Sequence, residues 1–522
     1  MSSQFYRLPS SPDVKIIDRF SLLDDIALPA SEKLALEAQI EQDPSGSGFD
    51  LVPLWPLLTH LLCSSSSPPP TALPELASLL DTISVTVRGT ARPAGDYALL
   101  RDAIAACFGG AEPFFRRVWP RLARLALEMP ALFPDHRLPV LGRRRRPRAG
   151  EDGCGGGGEA RVRLSRRQVA CLVVHQFLRT LDAPEWKAGR GGEGEGEEGE
   201  REALHDFGVW YDGGQKHVEA VRGYLTGLMR YFDRVVCGDL GDGDDGWVVE
   251  YRLCLVDEAE FRGVLEKKAC SLSKVDVKIV ERYDLLPESL GIPAGAAVVS
   301  ANRQIGFGQS ATQEEVHVGS SPEACPAVLV TPPLEDDQVL VVRGAQAMVN
   351  ITGQRRDIRI EDMPVTEDGE VWKQRTMLFM DALELDMAEA WDSLPDLLPG
   401  NMDREIRKAY TALSSGGYRE IRTGLWGCGA FCGDPGVKML LVWLAASLAG
   451  TTLVVVCDGT GQAFAEQFRR VADKARVLRD TTELHQMLMQ APRSLVKGET
   501  LAWFEEQLER RVAMADGERR EH

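Results

Sequence analysis

The chain has 522 residues, 44% hydrophobic and 26% charged, which is enough for about two to four domains with real cores. Its 60 basic and 78 acidic side chains leave a net −18, arguing against a general nucleic-acid binder, whose affinity comes from Lys and Arg neutralising phosphates. No run approaches the roughly 18 apolar residues of a membrane helix, the first residues lack an apolar signal core, and eleven cysteines without paired spacing fit a reducing compartment, so a soluble chain is expected.

Residues 1 to about 140 read as helical. Ile104, Cys107, Phe114, Val118, Leu122 and Leu125 recur at three- and four-residue steps, and Ser64–Pro70 is a loop with no apolar face to bury. Two low-complexity inserts follow. Residues 142–159 carry the basic run Arg143–Arg148 and then four glycines, and Lys187–Glu202 is rich in Gly and Glu; both compositions predict disorder. Between them Leu164–Leu181 is predicted helical, with Ser165 as N-cap and Val169, Leu172, Val173, Phe177 and Leu181 on its buried face. A further helix is predicted over roughly Lys216–Val235.

From Trp247 the pattern changes. Short β-rich runs are predicted as strands at Trp247–Leu255, Val275–Val280, Ala296–Ser300, Ala327–Val330, Val339–Val342, Thr376–Met380 and Thr452–Cys457. Helical stretches separate several of them, the signature of an α/β layer fold. Asp434 and Pro435 open a helix over Pro435–Ala449 that is apolar nearly all round, and Gly450 closes it. The expected layout is a helical accessory region over 1–235, an α/β domain over 246–492, and a C-terminal helix and tail over 493–522.

Two constellations in the α/β half have chemical potential. In Ala296–Glu315 a buried strand leads into a polar turn, then Gly306-Phe307-Gly308, then Glu314 and Glu315. The two glycines permit close ligand approach, and adjacent carboxylates enter one pocket only from a turn or a first helical turn. The same residues have a plainer reading. Thr312-Gln313-Glu314-Glu315 fits a capping box, with Thr312 capping and Glu315 reaching back, and from pattern alone that reading stands ahead. Residues 306–311 also match the loose dinucleotide fingerprint, but the glycines do not turn the chain directly off the strand, which excludes that unit.

The second constellation is Thr423–Asp434, TGLWGCGAFCGD. Gly424, Gly427, Gly429 and Gly433 make a backbone cradle ahead of a helix N-terminus, suited to an anion, with Phe431 placed to stack on a sugar or base. The plainer alternative is a sharp loop anchored by Trp426 and Phe431. Cys428 and Cys432 lack the second pair a zinc site needs, and neither a His cluster nor a serine-hydrolase elbow is present.

Taken together these segments resemble the poly(ADP-ribose) glycohydrolase family, over most of Leu164 to about Leu508 and in consistent order. Leu164–Leu181 is similar to the family's LSxxQxACLLAxxF helix, Ala301–Glu315 to its FAN…GGG…QEE signature, and Ser321–Ala324 to the segment after it. Thr423–Asp434 is similar to its TGNWGCGAFGGD loop, and Leu444–Ser447 to its LAAS helix. Tandem Glu plus WGCGAFxGD in the right order moves the functional reading ahead of the capping one. The resemblance implies a macrodomain-like mixed sheet flanked by helices, binding the terminal ADP-ribose of the polymer and hydrolysing the ribose–ribose O-glycosidic bond. It implies Glu315 as general acid and then general base, with Glu314 and Gln313 fixing ribose hydroxyls and Asn302 holding the distal ribose. Gly306 and Gly308 line the substrate, and Gly427, Cys428, Gly429, Ala430 and Phe431 take the diphosphate and its sugar. Glu288 falls at the adenine once one inserted residue is allowed. No metal or cofactor is implied. The partners implied are poly(ADP-ribose) or ADP-ribosylated proteins, with no sequence-specific nucleic acid and no membrane; the chain is expected to be a monomer in nucleus or cytoplasm, in the DNA damage response.

Several positions depart from the family pattern. The expected Asp and aromatic before Ala301-Asn302 are Val299 and Ser300, the triple glycine is interrupted by Phe307, the loop 309–312 is short, and Gln354 and Leu425 replace an expected Tyr and Asn. These departures support the alternative of a weakly active or inactive ADP-ribose-binding scaffold. Arg303, Arg343, Arg355, Arg356 and Arg359 are expected to form a basic rim admitting the polymer end.

Overall fold

The structure is a computed structural model. It describes residues 4–521 except 27–28, 43–49, 64–68, 90–94, 143–159, 189–204, 241–245, 268, 354–356, 365–368 and 387–393. The basic run Arg143–Arg148, nearly all of the acidic insert, most of the Ser64–Pro70 loop, and Gln354, Arg355 and Arg356 lie outside the described residues.

An eight-stranded sheet organises the molecule. Its strands, numbered in chain order, are β1 (Ala160–Ser165), β2 (Val248–Leu255), β3 (Val275–Ile279), β4 (Gly295–Ala301), β5 (Gln338–Arg343), β6 (Thr376–Asp381), β7 (Glu420–Thr423) and β8 (Thr452–Cys457), in the spatial order β1-β2-β5-β6-β4-β7-β8-β3. The first four of that order pair antiparallel; β6, β4, β7, β8 and β3 run parallel. The parallel strands therefore end together, at Asp381, Ala301, Thr423, Cys457 and Ile279, and their following loops share one edge. In open α/β sheets that edge is where ligands bind.

Sheet burial on both faces explains why the central strands read as unbroken apolar runs. Along β4, Ala297, Val299 and Ala301 enter one core while Ala296 and Val298 enter the other; β6 divides in the same way, Met377 and Phe379 against Leu378 and Met380. The first core is continuous with the N-terminal helices, including Phe114, Trp119, Leu172, Phe177, Tyr224 and Phe232. The second is covered by the helices Pro399–Leu413, Pro435–Ala449, Gln462–Lys474, Thr481–Gln490 and Thr500–Glu521.

Sequence periodicity placed most of these elements, and the exceptions are informative. Ala327–Val330, predicted as a strand, is a single helical turn: a four-residue apolar run has no period that separates the two. Ala160–Ser165 is an edge strand of the main sheet, though the sequence reading left it at the border of an insert, and its alternating burial shows only once β2 is beside it. The short β7 went unpredicted, and Lys187, assigned to the acidic insert, sits on the turn of helix Glu185–Ala188. The C-terminal helix, expected as a segment apart from the 246–492 domain, puts Leu501, Phe504 and Leu508 into the second core. The caps behave as read. Ser165 forms a capping box with Gln168, and Asp434 accepts from Val437 N–H at the start of a helix closed by Gly450 at φ 75°. Arg166 of the first of these helices pairs at 2.6 Å with Glu323, both buried, which ties two of the family-like segments into one contact.

Candidate functional site

Three loops meet at the carboxyl edge of the parallel strands. The first, residues 302–312 after β4, runs into the helix Gln313–Gly319. Thr312 is the N-cap, so Gln313, Glu314 and Glu315 occupy the first turn, the one arrangement in which neighbouring carboxylates approach a common space. Glu315 does reach back. Its Oε2 accepts from the Thr312 N–H (3.0 Å), from the Thr312 hydroxyl (2.6 Å) and from the Ser310 hydroxyl. The capping box thus exists, and it orients the carboxyl. Oε1 faces Gly308, where a Cβ would lie 2.3 Å away. A side chain at position 308 would displace it.

Glu314 points the other way. It is 7% exposed, and its Oε2 and Oε1 accept from the N–H groups of Asn302 (2.8 Å) and Gly306 (3.1 Å). Burial pushes its carboxyl up to about 8, with the two N–H donors and Lys187 opposing and Glu315 adding. Burial likewise pulls the Lys187 amine down to about 8, against the charge of Glu314. Glu314 therefore holds the turn shut and keeps its proton to higher pH than an ordinary carboxyl, while Glu315 carries the less encumbered oxygen. Gln313 accepts from Ser300 N–H (3.0 Å) and donates to Val298 carbonyl (3.4 Å), and its Nε2 lies 3.8 Å from a Cβ placed on Gly424. It ties the carboxylate turn to β4 and lines the same pocket as Gly424. Asn302 is exposed, its side chain accepting from Gln304 N–H.

The helical region supplies the outer wall of this turn. Trp210 Nε1 donates to Gly308 carbonyl (2.8 Å), Gln309 Nε2 to Val209 carbonyl (2.6 Å), and the Tyr224 hydroxyl to Ser310 carbonyl (2.9 Å). Phe307, the residue that interrupts the family's glycine triplet, is fully buried against Phe207 and Trp210, with ring centroids 5.2 and 5.3 Å apart. Its side chain leaves through the back of the turn, so the departure does not fill the site. Nothing in residues 301–315 announces these contacts; the aromatic density of residues 207–211 was the available signal.

The second loop, residues 424–434 after β7, is tight. Gly427 sits at φ 74°, and a Cβ there would lie 2.7 Å from that of Ala382. Gly433 N–H donates to Gly427 carbonyl (2.9 Å), Cys428 N–H to Leu425 carbonyl (3.1 Å) and Cys432 N–H to Gly429 carbonyl (3.3 Å). The N–H groups of Gly427, Gly429, Ala430 and Phe431 have no acceptor among the described residues, and Gly429 and Ala430 are exposed. Such a set of unpaired amides can take an anion. Burial pushes the Cys428 thiol up, so it is no thiolate nucleophile. Beneath the loop lies a buried ionic cluster that the sequence reading missed: Lys438 reaches Glu405 (2.5 Å) and Asp396 (3.5 Å), and Asp396 accepts from Asp434 N–H (3.1 Å).

The third loop follows β3. With the ends of β4, β7 and β8 it encloses a small, solvent-open cleft of about 70 Å³. Tyr283, Leu285, Leu290, Ile351, Gln313, His317, Thr423 and Gly424 are among its lining, with Arg282 and Arg422 at hand. His317 is held neutral by burial, and its Nδ1 has no partner among the described residues. Glu288 is exposed on the turn before Gly291 and is not part of this lining; Asp284 and Ser289 are. Tyr283 is an aromatic in the pocket that went unnoticed in the sequence. Of the expected basic rim, Arg359 is exposed opposite Thr352, next to the pocket-lining Ile351 and Gly353, Arg355 and Arg356 lie outside the described residues, and two others point elsewhere. Arg343 pairs with Thr376 at the start of β6, the opposite end of the sheet, and Arg303 donates to Leu334 carbonyl.

Two family models match the chain: the helical domain of poly(ADP-ribose) glycohydrolase over residues 109–252, and its macro domain fold over residues 275–464. The chain belongs to the poly(ADP-ribose) glycohydrolase family. Poly(ADP-ribose) glycohydrolase 1 of Caenorhabditis elegans is 26% identical over 253 residues, covering 44% of this chain and 30% of that protein, so the match spans under a third of the relative's length. Among solved structures, poly(ADP-ribose) glycohydrolase from Deinococcus radiodurans in complex with ADP-ribose is 19% identical, covering 42% of this chain and 93% of that one at a TM-score of 0.27. The enzyme from Thermomonospora curvata is 13% identical, covering 40% and 79% at 0.24. The first match covers the helices from residue 109 and the strands β1 and most of β2, and the second covers the other six strands of the sheet.

Proposed function

We propose that the chain is a poly(ADP-ribose) glycohydrolase, hydrolysing the terminal ribose–ribose O-glycosidic bond to release ADP-ribose. The observation that carries this reading is the carboxylate pair in one helical turn, beside a small pocket that Gln313 and Gly424 both line and a loop of amides without acceptors among the described residues. On this reading the adenosine enters beside Tyr283 and the diphosphate meets the N–H groups of residues 427–431. The scissile bond then faces the Glu315 carboxyl.

Glu315 is proposed to deliver a proton to the departing ribose oxygen and then to take one from the incoming water, as glycoside hydrolysis through an oxocarbenium-like transition state requires. Glu314, both of whose oxygens receive backbone N–H groups, is proposed to set the position of residues 302–306 rather than to grip sugar hydroxyls directly. Incubation with purified poly(ADP-ribose), following free ADP-ribose, tests the reading. Glu315→Gln is expected to lower release by about 10²-fold or more while ADP-ribose affinity stays within about tenfold, because proton transfer is lost and contacts are not. Wild-type-like release by Glu315→Gln would overturn the assignment. Binding of ADP-ribose without release by the wild type would make the chain a binding scaffold.

A further inference from the structure

A strongly basic groove lies in the helical region, away from the strand ends. The helical stretch from Ala111 to Leu127 passes through a π-helical segment, Phe114–Val118, and turns Phe114, Val118, Trp119, Leu122 and Leu125 into the first core. Its opposite face presents Arg116, Arg117, Arg121 and Arg124, all exposed, at steps that keep them on one stripe. At about 1.5 Å rise per residue the stripe is about 12 Å long. Cys237, Gly238 and Leu240 form the facing wall, so the arginines line a groove rather than a convex surface. Arg116 pairs with Glu112 of its own helix and Arg117 with Asp233, whereas Arg121 and Arg124 reach no carboxylate among the described residues. Four neighbouring cations, two of them without a carboxylate partner among the described residues, are conspicuous in a chain of net charge −18.

We propose that this groove binds the body of the poly(ADP-ribose) chain, at units beyond the one that enters the strand-edge pocket; the inference rests on the proposed function for its choice of polyanion. Each repeat of that polymer carries a diphosphate. Guanidinium groups in a row match such charges bidentately, and they gather a polyanion without reading a base sequence. The groove makes length itself a determinant: a long chain engages both sites and gains effective concentration, a free ADP-ribose only one.

The test uses the full chain, a polymer of at least about ten units, free ADP-ribose and a single-stranded DNA of equal charge. The double variant Arg121→Glu/Arg124→Glu is expected to weaken polymer binding at least about tenfold at 50 mM salt and to flatten its salt dependence by about 0.7–0.9 per lost contact. ADP-ribose affinity should not move, and Arg121→Lys/Arg124→Lys should bind polymer nearly as wild type. Unchanged polymer affinity in the reversal variant, with wild-type ADP-ribose release intact, overturns the groove and leaves the proposed function standing. Loss of ADP-ribose affinity in parallel overturns it as a separate site, and DNA bound as tightly as polymer overturns its assignment to this polymer. Absence of ADP-ribose binding by the wild type overturns the proposed function, and the groove's assignment with it.

Discussion

The carboxylate turn and the glycine loop stand side by side at the sheet edge, yet they are held by different physics. Residues 302–315 are fastened by hydrogen bonds, their own Glu314 and Glu315 accepting from N–H groups of the same segment while Trp210 and Tyr224 close the outside. Residues 424–434 are fastened from below by the charges of Lys438, Glu405 and Asp396, each supplied by a different helical element. The first device keeps carboxyl groups in set positions while one oxygen stays available. The second anchors its ends through Trp426, whose Nε1 donates to Met380 carbonyl, and Asp434, which accepts from Gly498 N–H, and leaves the amides of residues 429–431 between them without acceptors among the described residues.

The sharpest way to break this contrast is Lys438→Met. It leaves Asp396 buried without its cation and Glu405 with Arg404 alone, and an unfolding titration should show a loss of about 3–5 kcal/mol. A loss under about 1 kcal/mol would mean that the loop holds itself.

On the other side, Gly308→Ala introduces a Cβ where the Glu315 oxygen lies. A misplaced proton donor should cost about 10²-fold in kcat, with less than about 2 kcal/mol of stability, measured by ADP-ribose release and thermal melting. Unchanged kcat would place the working oxygen elsewhere.

Glu314→Gln separates holding from titration. Because burial raises the Glu314 carboxyl from 4.5 to about 8, the native state binds the extra proton between those values. Its contribution is therefore complete below about pH 4.5 and is lost as pH rises through about 8, on the order of a few kcal/mol at full ionisation. The variant should be less pH-dependent than wild type across pH 4.5–8, and parallel stability curves would refute the buried acid. The smallest effect is expected from Cys432→Gly. Cys432 holds φ 58°, a left-handed conformation that costs a side chain about 1 kcal/mol, so relief offset by unfolded-state entropy should stabilise by about 0.5 kcal/mol in the same melts.

Much of this was legible in the chain because its causes are local. Capping at Ser165, Thr312 and Asp434, the left-handed stop at Gly450 and the apolar runs of β4, β6 and β8 all depend on residues within one or two turns of each other. The competing readings of Thr312–Glu315 could not be separated in sequence because both are true: the capping bonds are what aim the carboxyl.

Contacts between distant segments decided the rest. That Phe307 exits backwards into Phe207 and Trp210, that Glu288 stays outside the pocket while Tyr283 lines it, that Arg343 falls at the far end of the sheet, and that Lys438 finds Glu405 all follow from strand order and register. A side chain's type sets what it can bond. Its partner, and hence its burial and protonation, is set by which strand lies beside which, and the free energy for that choice is spread over two cores rather than written in any one segment.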